Sequence, residues 1–587
     1  MHRREVIWMK TNILKRLIPY LKLHKKSLVI LTLAALVGNV LGLLGPYIIG
    51  KGINLIKFKM DTEDLKKLGI LIAVLLGIYL ISALLNLLQN VTINRISQNI
   101  VYHMRKEGFE KVHRFSLKFI DRTSHGDMMS ILINDVDNIS NSLSQIGTQI
   151  VVSGLIIIIV LGIMTCISPL LTFIQLLLVV ISGCVLRILV KKSREKMREQ
   201  QSNLGKLSGY IEEMLLGQME VKAFSYEEIG ERKFKELNQK YRESAVKAFF
   251  YGGFNYPTLN YIGNISYSVI LILGAYLILQ GKMTVGGIST FIIYSRMFNR
   301  PIANISDFYT IIQSVLVSAE RYFALMDQPE ERETGEKILD PEKILGDIQF
   351  EDVNFAYNEN EMVLKNLNFS VEHGKKIALV GPTGAGKTTV INLLMRFYEV
   401  SSGRIYLDGM SIQNYSRESY RKLFGMVLQD TWLFNGTILE NIRYGNPEIS
   451  QEEIVEVCKM LGAHEFIIHL KDGYLTTLDE ENNDILSQGQ KQLITIVRAV
   501  VGNPKILILD EATSGIDTRT EHKIQKAMDI ISQKRTTFII AHRLSTIKNS
   551  DLILVIKDGK IIEKGNHSEL LKQEGFYREL YTKQFEN

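Results

Sequence analysis

Apolar residues come in two textures along this chain. Up to about residue 310 they form long uncharged runs, and beyond it they shorten to brief strands between polar turns. Six of the long runs reach the roughly 20 residues that a bilayer crossing requires. They are about Leu28 to Ile49, Leu68 to Leu88, Ile146 to Cys166, Leu170 to Val190, Pro257 to Leu279 and Val285 to Ile305. The links between spans three and four and between spans five and six are a few residues long. Those between two and three and between four and five are long, helical and charged, with Arg105, Lys106, Lys111 and Arg114 in one and Lys191, Lys192, Arg194, Lys196 and Arg198 in the other. The positive-inside bias puts these long loops in the cytoplasm together with both termini. The link between spans one and two runs against this bias with Lys51, Lys57, Lys59, Lys66 and Lys67, partly balanced by Asp61, Glu63 and Asp64. Residues Met9 to Lys25 read as a basic amphipathic helix on the cytoplasmic membrane face.

Helical periodicity runs past the lipid boundary, from Arg95 through His113 and from Arg187 through Lys235, so these helices are expected to project into the cytoplasm. Two interruptions, Asp121 to Gly126 and Tyr210 to Gly217, are either plain hairpin turns or places where a soluble domain touches the membrane domain. Polar residues within the spans cluster late: Asn255, Tyr256, Asn260, Tyr261, Asn264 and Tyr267, then Tyr294, Arg296 and Asn299. A charge such as Arg296 is costly against lipid and is expected to face protein or water. A translocation cavity and hydrogen bonding between helices both account for the cluster.

The charged, apolar-poor stretch from Gln328 reads as a linker. Expected boundaries are a membrane domain at 1–327, a linker at 328–345 and a soluble α/β domain at 346–587. The soluble part opens with β runs at Ile348–Phe350, Val353–Tyr357 and Phe369–Val371. Composition sharpens this division. The chain has 587 residues, 46% hydrophobic content and a net charge of +7, but its basic residues flank apolar runs instead of forming one patch. That favours the lipid bilayer as a partner over nucleic acid. Cys166, Cys184 and Cys458 have no metal-ligand spacing, so packing is their expected role. The first residues lack a signal-peptide pattern, and Met9 is an alternative start.

The chemistry is in the soluble part. The apolar run Ile377–Val380 leads into Gly381-Pro382-Thr383-Gly384-Ala385-Gly386-Lys387-Thr388-Thr389, then Val390 to Phe397. This is the strand, glycine-rich turn and helix of a phosphate-cradling loop. Its backbone N–H groups and the helix N-terminus attract an anion. Lys387 supplies a point charge for the β- and γ-phosphates of ATP, and Thr388 a hydroxyl for Mg²⁺. A second apolar strand, Ile506–Leu509, ends in Asp510-Glu511. Asp510 is placed to reach Mg²⁺ and Glu511 to act as general base on the attacking water. The turn Ser487-Gln488-Gly489-Gln490 opens a helix that runs through Val500 and forms a second anion site. Two phosphate sites separated by a helical insertion suggest that each ATP is shared between two such domains. His542, after the strand Thr537–Ile540, is a candidate γ-phosphate sensor.

These motifs resemble a type I, B-family ABC exporter half-transporter over nearly the whole chain. The resemblance implies an all-α six-helix transmembrane domain fused to a soluble α/β P-loop nucleotide-binding domain, as a multi-pass protein of the cytoplasmic membrane. By similarity, Tyr357 stacks on adenine and Gly381 to Thr389 is Walker A. Gln429 is the Q-loop residue that contacts Mg²⁺ and the membrane-domain coupling helices. Ser487 to Gln490 is the signature that faces ATP held by the other subunit. Asp510 and Glu511 are Walker B and the catalytic base, Asp517 belongs to the D-loop, and His542 is the switch histidine. The two cytoplasmic turns become coupling helices, the second near Leu216 to Val221. Two departures stand out. Gln488 replaces a usual glycine, putting a side chain at the phosphate approach, and Thr477 to Asp484 lacks the usual glycine-rich pattern. Both resemble the catalytically competent arm of heterodimeric bacterial multidrug exporters, which implies a different half-transporter as partner and a small amphipathic substrate. Dedicated lipid or peptide export and an ATP-gated channel or sensor remain alternatives.

Overall fold

A computed structural model describes residues 13–585 apart from 14, 57–60, 304, 332, 334, 359–360, 430, 480–484, 511–517 and 542–546. The chain divides into two compact units. The first is Met1–His113 with Ser124–Gln328, and the second is Arg114–Thr123 with Pro329–Asn587.

The first unit is helical. Its main elements are α1 (Lys25–Leu55), α2 (Thr62–His113), α3 (Val136–Ile167), α4 (Pro169–Leu216), α5 (Glu227–Gly253), α6 (Asn255–Leu279), α7 (Val285–Ala303) and α8 (Ile305–Met326). Each of the first five expected spans falls on one of these helices, and the sixth covers α7 and the first residue of α8. Among the described residues, α1, α2, α4 and Asn260–Leu279 are long and apolar enough to cross a membrane, and the apolar stretch Ser153–Ile167 of α3 is shorter. At 52 residues α2 is roughly 78 Å long, more than twice a hydrocarbon core. Ile70, Leu76, Leu80 and Leu84 lie exposed along it, as a lipid-facing surface requires. Cys166 and Cys184 are also exposed on spans, whereas Cys458 is buried in the second unit. Ser168 caps α4 by accepting from Leu171 N, and Pro169 fixes its first turn. The helical stretch expected from Arg187 through Lys235 is interrupted at Gly217, the end of the expected interruption, passes through a short helix Gln218–Ala223 and resumes as α5. Ser225 takes a left-handed backbone at the return. This short helix overlaps the position expected for the second coupling turn.

Close helix approach and buried amides hold the spans together. A Cβ on Gly286 would lie 2.0 Å from Gly50 O, so only glycine permits this crossing of α1 and α7. Tyr294 is buried, and its hydroxyl donates to Leu43 O at 2.6 Å. Gln175 on α4, which hydropathy does not single out, is 1% exposed. It donates to Asn299 Oδ1 at 2.9 Å and accepts from Ser266 and Ser295 hydroxyls, each at 2.9 Å. Tyr294 and Asn299 therefore bond between helices, and of the two explanations for the late polar cluster this one applies to them.

The second unit is built on a six-stranded sheet, β12-β11-β3-β10-β9-β6. Its members are β3 (Lys376–Val380), β6 (Phe424–Val427), β9 (Ile506–Asp510), β10 (Thr536–Ile540), β11 (Leu552–Lys557) and β12 (Lys560–Gly565). All neighbours pair in parallel except β11 and β12. Period-two alternation splits each central strand between two cores. Ala378, Val380, Leu507, Leu509 and Ile539 face a helical layer. Ile377, Leu379, Ile506, Ile508, Phe538 and Ile540 face a second, antiparallel sheet in the order β2-β1-β4-β5. That sheet comprises β1 (Ile348–Asn358), β2 (Glu361–Val371), β4 (Ser402–Leu407) and β5 (Met410–Ser411). The two early β runs expected at Ile348 and Val353 are one strand with register shifts.

The stretch from Pro329, read as a linker, is held on this unit. The Glu331 carboxylate pairs with Arg417 and Arg421, each at 2.7 Å, and Arg417 also pairs with Glu399. Burial raises the Glu331 carboxyl and the two guanidinium groups pull it down, with a net shift below its ordinary value. Removing the Gln175 amide would strand three polar partners among apolar helices. We expect Gln175→Leu to lower stability by about 1–2 kcal/mol, read as an earlier midpoint in detergent unfolding. A midpoint equal to wild type would remove the hub assignment.

Candidate functional site

Parallel pairing brings the candidate nucleotide residues to one edge of the sheet. Ile540 on β10 is level with Asp510 on β9 and with Leu379 on β3, while Val427 on β6 is level with Leu509. The carboxyl ends therefore deliver Gly381, Asp510, Ala541 and Leu428 to the same side, where ligands of open α/β sheets bind. Gln429, one residue beyond Leu428, is exposed there. Glu511, Asp517 and His542 lie outside the described residues.

The phosphate loop has the backbone its composition implies. Gly384 and Gly386 have φ of +81° and +104°. A Cβ on Gly386 would lie 2.6 Å from Leu364 Cδ2, so the cradle closes only around glycine. Helix α9 (Lys387–Leu394) begins three residues earlier than the apolar pattern suggests and ends before Phe397. Its end is fixed by Arg396, which has φ of +53° and buries its guanidinium against Ile412 O and Tyr415 O, each at 2.9 Å. Lys387 is 8% exposed, and its ammonium donates to Gly381 O at 2.8 Å and Pro382 O at 3.1 Å. Burial pushes the ammonium below its ordinary pKa, and nearby Asp510 offsets part of this. A desolvated cation whose recorded acceptors are loop carbonyls, within a glycine cradle, suits a polyphosphate.

Tyr357 closes β1 beside this loop. Its hydroxyl is 3.2 Å from Thr389 Oγ1 and accepts from Asn392 Nδ2 at 3.3 Å. Its ring meets Phe355 and Tyr398 edge-on, with centroids 4.8 and 4.9 Å apart. Arg122 donates to Tyr357 O at 2.6 Å and to Asn358 Oδ1 at 2.5 Å, and Tyr398 donates to Asp121 at 2.5 Å. The turn at Asp121 and Arg122 thus folds with the aromatic cluster, so it does more than join two helices. Asn392 and Tyr398 went unnoticed in the sequence because both look like ordinary helix and turn residues.

The turn at Ser487 opens α10 (Gln488–Val500) with a capping box. Gln490 N donates to Ser487 Oγ at 3.3 Å, and Ser487 N donates to Gln490 Oε1 at 2.8 Å. Gln488 Nε2 donates to Thr431 Oγ1 at 3.2 Å. The extra side chain is thereby held against the segment that follows Gln429. Thr388 is exposed on the first turn of α9, and Asp510 lies near enough to Lys387 to act on its charge. Among the described residues no three His, Cys, Asp or Glu cluster as a closed metal site.

Comparison with known proteins agrees across the whole chain. The family model described as the ABC transporter transmembrane region matches residues 28–302, and the one described as ABC transporter matches residues 364–514. An uncharacterized ABC transporter ATP-binding protein of Bacillus subtilis, YfiC, is 42% identical over 98% of this chain and 94% of its own length. A fatty acid ABC transporter ATP-binding/permease protein of Mycobacterium tuberculosis is 42% identical over 87% of this chain and 80% of its own. The solved structure of a bacterial Atm1-family ABC exporter with ATP bound superposes with a TM-score of 0.78 at 29% identity, covering 96% of this chain and 98% of that one.

Because the Lys387 ammonium is buried at a desolvation cost, Lys387→Met is expected to leave the nucleotide-free melting midpoint unchanged or higher. The same variant should weaken ATP binding at least about tenfold, or about 1.4 kcal/mol. An undiminished ATP-induced rise in the midpoint would contradict this.

Proposed function

The chain belongs to the ABC transporter family as an exporter half-transporter, and from that premise we propose that it exports amphipathic compounds across the cytoplasmic membrane together with a second, different half-transporter. It is an ATPase coupled to transport and a multi-pass membrane protein with a soluble nucleotide-binding domain, and ABC exporters work as dimers in a lipid bilayer. The observation that carries the reading is the buried Lys387 ammonium inside its glycine cradle, near enough to Asp510 to feel its charge.

In this reading Tyr357 stacks on adenine, and the loop from Gly381 to Thr389 holds the phosphates. Thr388, Asp510 and Gln429 hold Mg²⁺, which supplies charge neutralisation to the phosphates when bound. Glu511 accepts the proton of the attacking water, and His542 and Asp517 complete the site. Positioning and charge stabilisation supply most of the rate. The signature at Ser487 to Gln490 serves the nucleotide of the partner. Closure of the two nucleotide domains opens the cavity outward, and hydrolysis resets it. Both termini and the nucleotide-binding domain lie in the cytoplasm.

Gln488 supports a heterodimer. A side chain at this position, engaged with Thr431, leaves less room at the phosphate approach than glycine would, and a partner with a degenerate site tolerates that. A dedicated lipid exporter is the second reading, favoured by the relative named for fatty acid.

Glu511→Gln is expected to abolish nearly all steady-state ATP hydrolysis while ATP still binds; a variant that keeps turning over would sink the assignment of the base. For the pairing, the chain expressed alone should fail to form an active dimer. A stable homodimer whose ATPase responds to amphipathic compounds would count against the heterodimer.

A further inference from the structure

The six spans carry three cations, Arg187, Arg296 and Arg300, and no carboxylate to balance them. Arg296 lies about 16 Å along α7 from Val285, well inside a hydrocarbon core of about 30 Å. The sequence has no Asp or Glu in residues 6–60, 65–106, 138–194 or 244–306, which contain every span. Arg296 is exposed on the first unit, and its recorded contact among the described residues is a Tyr267 ring centred 5.0 Å from the guanidinium carbon. The opposite side of α7 is filled: Phe291, Tyr294, Ser295 and Phe298 are buried against neighbouring helices. On α6, Asn260, Asn264 and Ser268 are exposed at successive four-residue intervals, forming a polar stripe beside Tyr267.

Arginine at the centre of a spanning helix costs about 2.5–3.5 kcal/mol on insertion scales, and amides gain nothing from hydrocarbon. A surface that sets Arg296 beside a row of amides suits a water-filled path, as the export reading requires. A guanidinium stacked on an aromatic face keeps its N–H donors in a planar fork. That fork matches a carboxylate or phosphate in two-point contact. With the acid missing from this chain's spans, the matching anion is left to the transported molecule or to the partner half-transporter.

We propose that Arg296, seated on Tyr267, binds the anionic headgroup of the transported molecule, so that the substrate is an amphipathic anion. Its carboxylate or phosphate meets the fork, its apolar body lies along the spans, and Asn260 and Asn264 offer further donors. The inference rests on the export reading and narrows its substrate class.

The test uses the full chain in the dimer it forms, reconstituted in phosphatidylcholine vesicles. Transport and ATPase stimulation are measured with dodecanoate and with dodecyltrimethylammonium, which share a chain and differ in charge. The expected result is transport of dodecanoate, with a half-maximal concentration raised at least about tenfold by Arg296→Gln and largely restored by Arg296→Lys. ATP binding by each variant checks its folding. Equal use of both probes by wild type, or an equal loss of both in Arg296→Gln, would overturn the anion assignment while leaving export intact. If phosphatidylglycerol alone gives an Arg296-dependent stimulation and dodecanoate is not carried, Arg296 binds bilayer lipid and the substrate assignment fails. If neither probe is moved or stimulates ATPase, and neutral dodecanol does both, the anion is again excluded. ATP hydrolysis with no movement of any probe would instead defeat the export reading itself, and the inference with it.

Discussion

A buried ammonium with backbone carbonyls for partners sets the terms of the nucleotide domain. Lys387 sits in a pocket from which water is largely excluded, donating to Gly381 O and Pro382 O. Such a group is stable only because the loop turns two carbonyls inward, and the loop turns only because Gly384 and Gly386 adopt positive φ. Polyphosphate supplies the negative charge that carbonyl dipoles imitate. The strand order then matters: β10 sits between β3 and β9, so Asp510 ends level with the strand that launches the loop. The two apolar cores on either face of the sheet fix this alignment, since a one-residue slip would exchange the residues facing each core.

The membrane unit obeys the complementary rule. Where water is absent, polar groups find one another, and Gln175 satisfies three partners from two other helices. Where polar groups remain exposed on a span, as at Arg296, Asn260 and Asn264, the surface cannot be meant for lipid. The same physical cost thus separates residues that hold helices together from residues that line a path, a separation that hydropathy alone does not make.

Much of this was legible in the sequence. Uncharged runs located the spans, and the glycine spacing of the phosphate loop located the nucleotide site, because both patterns follow directly from solvent and backbone constraints. Helix ends were less legible. Nothing local announces that Arg396 will take a left-handed backbone to reach Ile412 O and Tyr415 O. Contacts distant in sequence were invisible: Arg122 on Tyr357 O spans 235 residues and Gln488 on Thr431 spans 57. The stretch after Gln328 looked free because it is charged, yet Arg417 and Arg421 turn its Glu331 into an anchor.

One chain carries both a nucleotide site and a polar stripe along its spans, and ATP use is expected to drive vectorial movement. The most direct measurement reconstitutes the chain in its dimer in vesicles with the nucleotide domains outside, and follows a fluorescent amphipathic compound. Accumulation inside the vesicles that requires ATP and stops with non-hydrolysable analogue is the predicted result. ATP hydrolysis at full rate with the compound only equilibrating, or moving equally without ATP, would contradict it.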